Sequence, residues 1–79
     1  MTTEEFHNLD EERQHVVLFE ADKVCEWSNE YTNCQLFYTP NFYIETKTSI
    51  RYRYKRLIST FTLNTLPLIY AGSVQLKLA

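Results

Sequence analysis

At 79 residues with a single glycine and a formal net charge of −2, the chain suffices for one small domain that buries about 60–65% of its unfolded surface, and it has no basic excess for holding a phosphate backbone. One Trp, six Tyr and five Phe concentrate that burial in rings, each able to remove about 150–250 Å² from water. The polar, acidic opening Met-Thr-Thr-Glu-Glu-Phe lacks the features of a secretory signal and no apolar run reaches the ~20 residues of a membrane helix, so a cytoplasmic chain without membrane association is expected.

In chain order, Thr2 or Thr3 can cap a first short helix ending near Leu9, with Glu4 and Glu5 at its positive end. Asp10 is a second N-cap, and a helix to about Ala21 follows, with Val17, Leu18 and Ala21 on one apolar stripe that Val16 and Phe19 widen. The run His15 to Glu20 also contains the β-prone Val-Val-Leu-Phe, so a strand is the competing reading there. An antiparallel meander comes next: strands over residues 23–28, 33–39 and 42–48, turns at Ser28-Asn29-Glu30-Tyr31 and Pro40-Asn41, and a fourth strand within 50–61. Thr65-Leu66-Pro67 opens a closing helix with Gly72 as its C′ residue, and Val74, Leu76 and Leu78 alternate like a strand. The fold class is α+β: one or two N-terminal helices, a three- to four-stranded antiparallel meander and a short C-terminal helix, in one domain over residues 1–79.

Hairpin register assigns the faces. Centring the first hairpin between Asn29 and Glu30 sets Cys25 opposite Cys34, and centring the second on Pro40-Asn41 sets Tyr38 opposite Tyr43 and Phe37 opposite Ile44. Cys25, Trp27, Cys34, Leu36, Tyr38 and Tyr43 then share one face, and Val24, Phe37, Phe42 and Ile44 the other. Both faces are bulky and apolar. The helices can cover one, and the second is expected to need a partner, since so large an apolar patch is uncommon on a monomer.

The segments Thr-Glu-Glu-Phe-His-Asn-Leu-Asp-Glu-Glu-Arg-Gln (residues 3–14), Gln35-Leu36-Phe37-Tyr38, Phe42-Tyr43-Ile44-Glu45 and Ser59-Thr60-Phe61 together resemble a family of short uncharacterised bacterial proteins, mainly from Bacteroidetes. The resemblance spans most of the chain. It implies two N-terminal helices followed by an antiparallel meander, and no activity, cofactor or partner. The chain lacks the glycines that such proteins often carry before the first strand and at the hairpins.

No arrangement of catalytic groups is legible. His7, His15, Cys25, Cys34, Glu20, Asp22, Glu26, Glu30 and Glu45 are the groups with chemistry to offer, but no nucleophile, base and oxyanion donors are spaced as a unit. The histidines read as solvated helix residues. Cys25 and Cys34 read as small buried hydrophobes on neighbouring strands, or as a strained cross-strand redox pair without the Cys-x-x-Cys spacing. No zinc spacing and no Gly-rich phosphate loop occur, so no metal and no cofactor are expected. Glu45 is either held by a tyrosine hydroxyl or faces solvent, the second being preferred.

The clearest surface signal is Arg51-Tyr52-Arg53-Tyr54-Lys55-Arg56. Extended, it sends Arg51, Arg53 and Lys55 to one side and Tyr52 and Tyr54 to the other. A charged edge strand that resists aggregation fits this pattern better than a stacking platform, because rings and charges diverge. It is also complementary to the acidic stretch from Glu4 to Glu12. The expected function is a non-catalytic protein-interaction module, homodimeric through its sheet or binding an unidentified protein. The alternative is a nucleic-acid-binding module using Arg51, Arg53, Lys55 and Arg56.

Overall fold

In the computed structural model, which describes residues 1–50 and 57–70, helices α1 (Thr3–His7) and α2 (Glu11–Glu20) precede strands β1 (Asp22–Ser28), β2 (Thr32–Tyr38), β3 (Tyr43–Ser49) and β4 (Leu57–Phe61). The four strands form an antiparallel meander in the order β1-β2-β3-β4. Residues 15–20 are helical, and the fourth strand, Leu57–Phe61, falls within the expected span 50–61. Of the expected C-terminal helix, the described residues hold one 3-10 turn, Leu68–Tyr70. Gly72 and the alternating Val74, Leu76 and Leu78 lie outside them.

Local chemistry accounts for both helix starts. The Thr2 hydroxyl accepts from the Glu5 amide at 3.1 Å while the Glu5 carboxylate accepts from the Thr2 amide at 2.9 Å, a reciprocal capping box. Asp10 caps α2 by accepting from the Arg13 amide at 2.9 Å. The helices are tied together where Gln14 Nε2 donates to the Phe6 carbonyl, and α1 to the sheet where His7 Nε2 lies 2.9 Å from Thr60 Oγ1.

The turn between β2 and β3 is fixed by Thr39 and Pro40. Thr39 Oγ1 and its amide both donate to the Phe42 carbonyl at 2.9 Å, while Pro40 presets the backbone of the turn. Tyr38 accordingly faces Tyr43 and Phe37 faces Ile44, as expected. The first hairpin departs from expectation. Asn29 Oδ1 accepts from the amides of Tyr31 and Thr32 at 2.8 Å, and the Asn29 amide donates to the Thr32 carbonyl. That grip moves the turn centre one residue toward the C-terminus. Cys25 therefore pairs with Leu36, and Cys34 with Trp27, so the two cysteines are not opposite each other and both are free thiols.

A two-residue slip preserves face parity, which is why the first face survives the register error. Leu36, Tyr43 and Tyr70 form its buried centre, with Cys25, Trp27, Tyr38, Phe61 and Leu66 packed around them. Val24 belongs to this cluster rather than to the opposite face, because the register shifts between Lys23 and Cys25 and a bulge turns successive residues to one side. On the opposite face Phe6, Leu18, Phe42 and Ile44 are buried, with Leu9, Val17, Phe37 and Ile58 against them. The Phe6 and Phe42 rings meet at 5.9 Å with a 55° tilt. Val16 and Phe19 do not widen the buried stripe of α2. They stand on its outer side, Phe19 being 91% exposed.

The centre of the second face is covered from within the chain. Tyr70, 1% exposed, and Leu66 lie over Leu36 and Tyr43, so the segment after β4 closes the side the helices do not reach. On the helix side, Phe42→Ala removes a buried ring from the centre and should cost about 3–5 kcal/mol. That is a large part of the ~5–15 kcal/mol typical of a domain. Urea unfolding measures it, and a loss below about 1 kcal/mol would contradict the placement of this ring.

Candidate functional site

The basic segment on which the nucleic-acid reading rested, Arg51, Tyr52, Arg53, Tyr54, Lys55 and Arg56, lies outside the described residues. Three other features gather the chemistry: a buried polar cluster under Tyr70, a cleft at the end of α2, and apolar side chains left in water.

The cluster begins with Glu45. This carboxylate is only 6% exposed, and its Oε2 accepts from the Tyr70 hydroxyl at 2.5 Å. The preferred solvent-facing reading of Glu45 is therefore wrong. A carboxylate on the Tyr43 side of β3 sits among rings, where burial is tolerable only with a donor, and Tyr70 supplies one from 25 residues away. Lys47 Nζ stands 3.8 Å from the other oxygen, half exposed, and contributes a weak surface-type pairing. Burial first, and then the hydrogen bond to Glu45, push the Tyr70 phenol well above its ordinary range. The indole N–H of Trp27 lies near enough to favour the ionised phenol without reaching hydrogen-bond geometry, and it has no partner among the described residues.

Cys34, 1% exposed, lies in the same layer. Burial and the neighbouring Glu45 charge raise its thiol pKa, against a smaller opposing influence from Lys47. A thiol so placed holds its proton and is a poor nucleophile. Tyr43 is likewise raised, by burial and then by Tyr38, whose ring centroid is 5.3 Å away. The cluster has the character of a lock: its donor and acceptor satisfy each other and its thiol is shielded.

The helix-side histidines are at the surface, His7 against Thr60 and His15 exposed on α2. Glu26 is a surface hub that accepts from Lys23 at 2.5 Å, Asn33 at 2.9 Å and Gln35 at 3.1 Å. Those hydrogen bonds, Lys23 foremost, lower its pKa to about 2. Among the described residues no three His, Cys, Asp or Glu side chains converge to hold a metal ion, and no helix is long and apolar enough to cross a membrane.

A cleft of about 460 Å³ opens where the C-terminal end of α2 meets the start of β1 and the β2–β3 turn. Val17, Tyr38, Pro40 and Phe42 give it apolar walls, and Glu20 and Asp22 give it carboxylates. The sequence named both acids but offered nothing to join them to those rings. Tyr70 was missed altogether, and its only signal was the general need of an inward Glu for a donor.

No family model matches the chain, and no curated protein or solved structure shows significant similarity to it.

Tyr70→Phe leaves the buried Glu45 carboxylate without its donor and should destabilise the fold by about 1–3 kcal/mol. Because the folded-state pKa of Tyr70 is raised, its contribution is complete below the unfolded value of ~10 and is lost as pH climbs toward the folded value. Denaturation series from neutral to alkaline pH should thus show a decline that is shallower above about pH 10 in Tyr70→Phe, with Tyr43 and the likewise raised Cys34 thiol supplying the remainder. An unchanged alkaline limb would contradict the lock.

For Glu26 the sign is reversed. Its lowered pKa gives stability that is present above the ordinary value of 4.5 and is lost as pH falls through about 2. Glu26→Gln should flatten part of the acid limb in that window, with Glu5, also lowered through its bonds to Thr2, retaining the rest. An identical acid limb would show that the Glu26 hub contributes nothing.

Proposed function

We propose that the chain is a non-catalytic protein-interaction module that pairs with a second copy of itself. The observation that carries this reading is Phe19, whose ring is 91% exposed beside the half-exposed Val16 on the outer side of α2. A ring left in water on a regular helix is unfavourable for the lone subunit, and covering it against another apolar surface releases about 25 cal/mol for each Å² removed. Leu68, also 91% exposed, and Ile69 lie separately on the 3-10 turn, across the sheet from α2. Since Tyr70 and Leu66 already cover the second sheet face, this reading moves the contact from the sheet face to the outer side of α2.

The buried cluster supports the non-catalytic half of the reading. Its carboxylate and phenol are bonded to each other, and its thiol is raised and shielded. The resemblance to short bacterial proteins adds a layout and no reaction.

Sedimentation velocity across a wide concentration range tests the pairing. The wild-type chain should shift toward a dimer as concentration rises. Phe19→Ser, an exposed substitution whose effect on stability should stay within about 0.5 kcal/mol, should remain monomeric with an unchanged melting curve. A wild-type chain that is strictly monomeric at the highest attainable concentration would overturn the proposal.

A further inference from the structure

The outer side of α2 carries charge as well as apolar groups. Residues three and four apart lie on neighbouring turns of one helix side. Val16 and Phe19 are such a pair, and Arg13 and Glu20 stand three residues before and four residues after Val16. All four are exposed. Arg13 and Glu20 fall on nearly the same line along the helix, roughly 10 Å apart, too far to bond to each other. Neither side chain has a hydrogen-bond or ion-pair partner among the described residues. His15 borders the stripe on the Phe19 side, and Glu12, two turns before Phe19, ends it. The helix thus presents a short apolar stripe with a cation and an anion spaced along one border.

Two copies can meet along this stripe about a two-fold axis in two ways. With the helices antiparallel, each border meets its own counterpart. Val16 of one copy then lies against Phe19 of the other, and Arg13 comes level with Glu20 of the second copy, twice by symmetry. With the helices parallel, each border meets the opposite one, and Glu20 faces His15 of the second copy instead. Two effects favour the antiparallel arrangement. Arginine carries its charge at every working pH and meets a carboxylate through a planar fork, and antiparallel helices set the positive end of each macrodipole beside the negative end of the other.

Resting on the reading of the chain as self-pairing, we infer that the contact is an antiparallel two-fold packing of α2 on α2 of a second copy, with Val16 and Phe19 at its centre and two Arg13–Glu20 ion pairs along its border. Such a contact is small. The 10 residues of α2 span about 15 Å, which keeps the buried surface below the ~1,200 Å² where stable interfaces begin. The pairing is therefore weak and reversible. The apolar stripe supplies the attraction, and the border charges set the orientation, because like charges brought together oppose the wrong one.

A charge exchange read by sedimentation equilibrium at low ionic strength tests the arrangement. Arg13→Glu puts an acid in the first turn of α2 and Glu20→Arg puts a base in the last, so both suit the helix dipole and should leave the melting curve in place. Alone, each variant should self-associate about tenfold more weakly than the wild type, since two attractive pairs become two repulsive ones. An equimolar mixture of the two variants should recover an affinity close to that of the wild type, because every charge on the border then finds its opposite across the contact. Single variants that pair as well as the wild type, or a mixture no tighter than its components, would overturn the antiparallel contact while leaving self-pairing intact. A wild-type chain that stays monomeric throughout would remove self-pairing, and this contact with it.

Discussion

A four-stranded sheet with large apolar groups on both sides must be covered twice, and in a chain this short both covers are made from the segments that flank the sheet. Two helices precede the strands and close one side with Phe6 and Leu18 over Phe42 and Ile44. The other side is closed after the last strand, when the chain turns at Thr62 to Thr65 and lays Leu66 and Tyr70 over Leu36 and Tyr43. Neither cover is large. The sheet between them serves as the shared core of two thin layers, so a loss on either side is felt by the whole domain.

The two closures differ in kind. The helix side is held by packing, with ring against ring and capped helix ends that orient it. The Tyr70 side is pinned by one charge-assisted hydrogen bond to a carboxylate that the sheet could not otherwise bury. This makes the second closure specific, since only a donor at the right height satisfies Glu45, and it makes that closure sensitive to the ionisation of Tyr70. It also leaves the Trp27 indole N–H without a partner among the described residues, a local cost accepted where the ring helps to fill the layer. What stays outside both closures is the outer side of α2, where Phe19 is left in water, and the cleft at the end of that helix.

Much of the framework was legible because it depends on neighbours in sequence. Thr2 and Asp10 announced their helices through capping, and Pro40 fixed its turn, whose register gave the faces of the strand over 42–48. The errors fall where a side chain acts at a distance or a backbone irregularity has no signature. Asn29 gripping two amides moved one turn by a residue, and the bulge near Val24 exchanged its face without any glycine to mark it. Glu45 looked solvated because its donor lies far along the chain. Val16 and Phe19 were read as core because periodicity reports an apolar residue without saying whether anything faces it. The cleft was invisible for the same reason: Glu20 and Asp22 acquire meaning only beside Tyr38 and Phe42.

Thiol labelling of Cys34 in a Cys25→Ser chain addresses the double closure most directly, because Cys34 lies 1% exposed in the layer sealed by Tyr70. If the chain shelters its own second face, Cys34 should react in native buffer orders of magnitude more slowly than in the unfolded chain, and at the same slow rate at every protein concentration. Native-state labelling as fast as in denaturant, or protection that emerges only as the protein is concentrated, would show that this face is left open by the lone subunit.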